Sequence, residues 1–143
     1  MVATSHDVMP DIELYQPADE ATALDLAARL GNEGWLLSGG QDTYGWLKDR
    51  NKTPSAMIEL TQIDAWRGVK EISNGVEIGA TTTLTEIAND PLIKSRFGLL
   101  AKAASVVASP QIRNVGTLGG NLNHDARCRY YRRVLEDHRP GVD

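Results

Sequence analysis

Two stretches of the chain gather glycine with hydroxyl and amide side chains. One runs Leu37, Ser38, Gly39, Gly40, Gln41, Asp42, Thr43; the other runs Gly116, Thr117, Leu118, Gly119, Gly120, Asn121. Glycine lacks a Cβ, so a ligand can approach the backbone closely and successive amides can turn toward one point. A diphosphate takes such a surface: several N–H donors, a hydroxyl or two, and a helix start that carries partial positive charge. Ser38, Thr43 and Thr117 supply hydroxyls, while Gln41, Asn114 and Asn121 supply amides. A Gly-Gly pair after a strand is more often a turn than a phosphate loop, so either stretch alone reads first as a turn. Neither carries the G-x-G-x-x-G dinucleotide fingerprint, and no P-loop lysine follows either one.

Acid–base and nucleophilic chemistry have weaker claims. His6, His124 and His138 have no spacing that suggests a metal site or a triad, and exposed or hydrogen-bonded roles suit them. Cys128 stands alone, so no internal disulfide forms, which suits a reducing cytoplasm.

The elements that must position the two stretches follow from pattern. At 143 residues the chain buries one ordinary core or two small lobes sharing one. An extended run at Ile12 to Tyr15 precedes a helix opened by Pro17 and Asp19 and stopped at Gly31, with Leu24, Ala27 and Ala28 on its apolar face. Gly34 to Leu37 reads as a short buried strand, Thr43 to Asp49 as a helix carrying Trp46 and Leu47 inward, and Ala56 to Leu60 as a strand. The first 60 residues therefore read β-α-β-α-β. Further on, Val69 to Ile72 and Val76 to Ile78 flank an Asn-Gly hairpin signal. Thr83 and Glu86 form a capping-box pattern at the start of a helix. Pro91 begins a longer helix whose buried stripe reads Leu92, Leu99, Leu100, Ala103, Val106 and Val107, and the second glycine stretch follows as donor-rich loop.

Charge and composition exclude some functions. The net charge of -4 argues against a general nucleic-acid or membrane-surface role, although Arg127, Arg129, Arg132, Arg133 and Arg139 form a local basic group. The N-terminus has no apolar signal-peptide core, and no apolar run approaches the roughly 18 residues of a membrane span.

The run Ala108 to Asn121, A-S-P-Q-I-R-N-V-G-T-L-G-G-N, resembles the signature loop of the flavoprotein subunits of the molybdenum hydroxylases, the xanthine dehydrogenase and carbon monoxide dehydrogenase medium-subunit type. LLSGGQDTYGWLK resembles the first FAD loop of that family, PSAMIELTQIDAWRGV its connecting strand, and VEIGATTTLTEI its strand-to-helix step, in the same order. The resemblance implies an α+β, PCMH-type FAD-binding fold: a small N-terminal α/β lobe over 1–60, an incomplete second α+β lobe over 61–131, and a polar tail over 132–143. It implies that Leu37, Ser38, Gly39, Gly40, Gln41, Asp42, Thr43, Gly116, Thr117, Leu118, Gly119, Gly120 and Asn121 wrap the FAD pyrophosphate through backbone amides. Gln111 and Arg113 then brace the second loop, a phosphate contact by Arg113 being the sharper alternative.

Functionally the resemblance implies a cytoplasmic FAD-binding electron-transfer subunit of an oxidoreductase. It would work with a molybdopterin-binding large subunit and an iron–sulfur small subunit, passing electrons from the clusters through FAD to an acceptor. No catalytic residue need come from this chain, since the flavin carries the redox chemistry. The run Asp125 to Arg132 is similar to the RC-x-Y-Y-R segment of a branch whose inserted loop holds a further four-iron cluster. That cluster needs four thiolates and this chain has one cysteine, so Cys128 reads as a free or vestigial thiol. Members of the family continue well past the length seen here, which reads as a C-terminal truncation. The competing expectation is a non-catalytic remnant or protein-interaction module that no longer holds FAD.

Overall fold

The structure is a computed structural model and describes residues 11–124 apart from Asp49 and Asn51. His6, Cys128, His138, the arginine group and the tail lie outside the described residues.

Three strands, β1 (Glu13–Tyr15), β2 (Gly34–Leu37) and β3 (Ala56–Glu59), form a parallel sheet in the order β1-β3-β2. The central strand reads Ala-Met-Ile and all three residues are buried, as befits a strand with a neighbour on each side and cover on both faces. Helix α1 (Glu20–Leu30) connects β1 to β2, and α2 (Thr43–Lys48) lies between β2 and β3. Leu37, Leu47 and Met57 form the core here, with Ile12 and Trp35 packed against them. The β-α-β-α-β reading of this part is what the chain builds.

Local signals set the ends of α1. Asp19 caps it by accepting the Thr22 N–H at 2.9 Å, and Gly31 ends it at φ 51°, in the left-handed region that glycine enters freely. The buried face differs from the expected one. Ala23 and Leu26 are buried and Leu24 is 58% exposed, so the stripe sits one position earlier than Leu24, Ala27 and Ala28. Similarly, β2 is an edge strand rather than a fully buried one, and its Leu36 is 57% exposed.

The second part begins with the antiparallel hairpin β4 (Val69–Ile72) and β5 (Gly75–Ile78). Ile72 pairs with Gly75, so Ser73 and Asn74 form the turn and Gly75 opens the return strand. Helices α3 (Leu84–Asn89), α4 (Pro91–Arg96), α5 (Gly98–Val106), α6 (Pro110–Val115) and α7 (Leu118–Leu122) follow. Ile87, Ile93, Ala101 and Ala104 are the core, and Val69, Val76 and Ile78 of the hairpin pack on it. Burying each large aliphatic side chain contributes about 1.5–3 kcal/mol.

The single long helix expected after Pro91 is two helices. Phe97, at φ -130° and ψ 46°, separates α4 from α5, and its N–H still closes on the Ile93 carbonyl at 2.8 Å. The break turns α5, so Ile93, Ala101 and Ala104 face inward while Leu99 and Val106 face solvent at 86% and 63% exposure. The stripe drawn through Leu99, Ala103 and Val106 is the outer face.

The α3 capping box forms in full. Thr83 Oγ1 accepts the Glu86 N–H at 3.2 Å, and the Glu86 carboxylate accepts the Thr83 N–H at 2.8 Å. Arg67 adds bonds from Nε at 2.9 Å and Nη2 at 2.7 Å. Burial opposes ionisation of Glu86, but the Thr83 bonds and the Arg67 guanidinium outweigh it and hold the carboxyl below its ordinary range. A carboxyl lowered on folding contributes stability that is complete above its unfolded pKa and is lost as pH falls through the folded value. Glu86→Gln is therefore expected to lower stability at pH 7 by about 1 kcal/mol and to narrow its gap from the wild type below about pH 4. Urea midpoints at both pH values check this; an unchanged gap would contradict it.

Candidate functional site

The two glycine stretches meet. Parallel strands put the C-terminal ends of β2 and β3 on one side, where open α/β sheets bind ligands. There β2 runs out into Ser38, Gly39 and Gly40 before α2 begins. Gly40 has φ 73°, which sets the turn, and its carbonyl accepts the Tyr44 N–H at 3.3 Å. Among the described residues the amides of Gly39 and Gly40 have no protein acceptor. Thr43 Oγ1 accepts the indole N–H of Trp35 at 3.2 Å.

The second stretch is helical where a loop was expected. Ser109 caps α6 with Pro110 in its first turn, Gly116 ends it, and Thr117 caps α7. Its polar groups are mostly spent on the fold: Leu118 N–H donates to Thr82 O at 2.9 Å, Gly119 N–H to Ala80 O at 2.8 Å, and Gly120 N–H to Thr117 Oγ1 at 3.2 Å. Thr83 and Thr117 form an isolated antiparallel bridge. A Cβ on Gly119 would lie 2.9 Å from the Ala80 carbonyl oxygen, so the glycine is required by close packing against the turn before α3. The Ser-Pro pair at the α6 start is the sequence signal for this arrangement.

Contacts across the seam join the stretches. Ser38 Oγ lies 2.9 Å from Thr117 Oγ1, the latter residue only 2% exposed. Gly39 lies so close to Val115 and Gly116 that a Cβ on it would meet the Val115 carbonyl oxygen at 2.5 Å. Beyond α7, His124 Nδ1 lies 2.6 Å from Asp42 Oδ2, which gives His124 the hydrogen-bonded role expected of it.

The flanking side chains serve as braces. Arg113 Nη1 donates to the carbonyls of Val107 and Ala108 at 2.8 and 3.0 Å, tying the end of α5 to α6 around Ala108, which sits at φ 42°. These bonds give Arg113 the bracing role. Asn114 Oδ1 accepts from the Thr85 hydroxyl at 2.7 Å and so locks α6 to α3. Asn121 is exposed on α7. Trp35 is the neighbour that sequence reading left out; it sits in a strand, and nothing in its spacing marks its reach to Thr43.

The sequence pattern of the family described as the FAD binding domain in molybdopterin dehydrogenase matches residues 10–132. The chain belongs to that family. Relatives of this FAD-binding domain include the carbon monoxide dehydrogenase medium chain of Hydrogenophaga pseudoflava, 35% identical over 117 residues that make up 82% of this chain and 41% of that protein. The nicotinate dehydrogenase FAD-subunit of Eubacterium barkeri is 41% identical, over 80% of this chain and 39% of its own length. In three dimensions the domain matches carbon monoxide dehydrogenase from H. pseudoflava at a TM-score of 0.78 and 35% identity, covering 80% of this chain and 40% of that one. Quinoline 2-oxidoreductase from Pseudomonas putida 86 gives a TM-score of 0.78 at 26% identity, over 82% and 41% of the two chains. The fold is thus the α+β FAD-binding fold of these flavoprotein subunits, and FAD is the ligand that defines the family. The chain spans about 40% of the length of the relatives it matches. Among the described residues no helix is long and apolar enough to cross a membrane.

Proposed function

We propose that this chain holds FAD at the seam and serves as the flavoprotein component of a molybdenum hydroxylase-type oxidoreductase. The observation that carries the reading is the meeting of Ser38 and Thr117, residues 79 apart in sequence, beside two amides with no protein acceptor. The donor set suits a diphosphate: open N–H groups at Gly39 and Gly40, hydroxyls at Ser38 and Thr43, and the amide of Asn121. In this reading the first stretch, Leu37 to Thr43, supplies most donors. The second, Gly116 to Asn121, supplies the wall against which the first is held.

When bound, the flavin supplies reversible electron transfer, and this chain supplies binding and orientation. Electrons would come from iron–sulfur clusters of a small subunit, after substrate oxidation at a molybdopterin-binding large subunit, and pass to an acceptor. The relatives named as a medium chain and an FAD-subunit support such partners. The lobes at 1–60 and 61–131, with the tail at 132–143, are the units of this reading, and a reducing cytoplasm is its setting.

An FAD titration of the chain followed by flavin fluorescence tests it, with Gly40→Val alongside. Valine at φ 73° is strained and would crowd the Tyr44 ring, so it distorts the first stretch locally. Saturable quenching that weakens at least tenfold in Gly40→Val is expected. A folded wild-type chain that leaves FAD fluorescence unchanged would refute the reading.

A further inference from the structure

Hydrogen-bond direction at the seam is set by groups that can only donate. An indole N–H and a backbone N–H have no acceptor capacity. The Trp35 indole therefore fills a lone pair of Thr43 Oγ1, and the Gly120 amide fills a lone pair of Thr117 Oγ1, each at 3.2 Å. Both threonines keep their own protons to give elsewhere. For Thr43, no protein acceptor takes that proton among the described residues.

For Thr117 the partner is Ser38, and two directions are open at 2.9 Å. If Ser38 donated, both Thr117 lone pairs would be filled and the Thr117 proton would be left without an acceptor in a residue 2% exposed. A buried donor without a partner costs more than a hydrogen bond returns. The Thr117 proton accordingly goes to Ser38 Oγ, and half-buried Ser38 gives its own proton outward.

We propose that Trp35 is a positioning residue that holds the Thr43 hydroxyl with its proton free to give to the ligand, as Thr117 does for Ser38. Protons directed in this way suit the oxygens of an ionised phosphate or diphosphate. The inference rests on the FAD reading above and deepens it by naming the side chain that positions one of the donors.

The test is calorimetric titration with FAD, ADP and riboflavin of the wild type, Trp35→Phe, Thr43→Val and the double variant. Phenylalanine keeps a ring against Leu37, Leu47 and Met57 and removes the donor together with part of the ring area. Each single change is expected to weaken FAD and ADP about five- to tenfold, and the double variant to be no weaker than Thr43→Val alone, because both changes act on one hydroxyl. Weak riboflavin binding, which engages no phosphate, is expected to stay within twofold. Additive losses, or riboflavin losses equal to those of FAD, would overturn the inference while leaving FAD binding intact. If Trp35→Phe fails to fold by circular dichroism, Ser38→Ala decides: loss for FAD and ADP only supports the inference, and equal loss for all three overturns it. A folded wild type that binds neither FAD nor ADP overturns this inference and the FAD reading together.

Discussion

Gly39→Ala is expected to reduce FAD affinity at least a hundredfold while destabilising the chain by about 1–3 kcal/mol. The added Cβ would lie 2.5 Å from the Val115 carbonyl oxygen and 2.9 Å from the Gly116 Cα. Both are backbone atoms, so no side-chain rotation relieves the contact. Nor can the second stretch retreat easily, since Gly116 N–H holds Ile112 O at 2.7 Å and Gly116 O accepts the Leu84 N–H at 2.9 Å. The first stretch has to move instead, and Ser38 parts from Thr117. FAD titration beside urea unfolding separates the two consequences. Wild-type affinity in a folded Gly39→Ala chain would show that the contact of the stretches does not matter for the ligand.

Gly79→Ala is expected to act on stability more strongly, by about 3 kcal/mol or more. Its Cβ would meet the Trp66 carbonyl oxygen at 2.2 Å and the Trp66 carbonyl carbon at 2.4 Å. That backbone is pinned: Trp66 O accepts the Thr81 N–H at 2.9 Å and the Thr81 hydroxyl at 2.8 Å, and Gly68 O accepts the Gly79 N–H at 2.9 Å. Thr82, 1% exposed, bonds both the N–H and the carbonyl of Gly68. Gly75→Ala is the control, because nothing lies within 4 Å of its would-be Cβ, and it should change stability by no more than about 0.5 kcal/mol. Thermal unfolding of the two variants side by side makes the comparison. Equal melting temperatures would contradict the packing argument.

Legibility in the sequence followed the range of the interaction. Asp19, Gly31 and the Thr83–Glu86 box act within a few residues and stand where the sequence puts them; the hairpin forms too, with its turn at Ser73–Asn74, one residue before the Asn-Gly pair. The faces of α1 and α5 did not emerge, because each helix offers two apolar stripes at i, i+3, i+4 spacing and only the neighbouring elements choose between them. Helix α1 lies against β2 and β3, and Ala23 and Leu26 are its buried residues while Leu24 is exposed. The second glycine stretch looked like loop because three glycines depress helix propensity, and bonds from Leu118 and Gly119 to Thr82 and Ala80 override that depression. Meeting of the two stretches was legible only through family resemblance; Trp35 was not legible at all, because its partner lies around a turn.

The two hydroxyl contacts of the seam differ in chain entropy. Trp35 and Thr43 are 8 residues apart, whereas Ser38 and Thr117 are 79 apart. Closing the longer loop costs about 2 kcal/mol more by the logarithmic dependence on loop length. The short contact needs only β2 and the start of α2 in place, whereas the long one needs the first and second stretches brought together. The Trp35–Thr43 contact therefore costs the unfolded chain less to form than the Ser38–Thr117 contact, which has to gather two distant stretches before either hydroxyl finds the other.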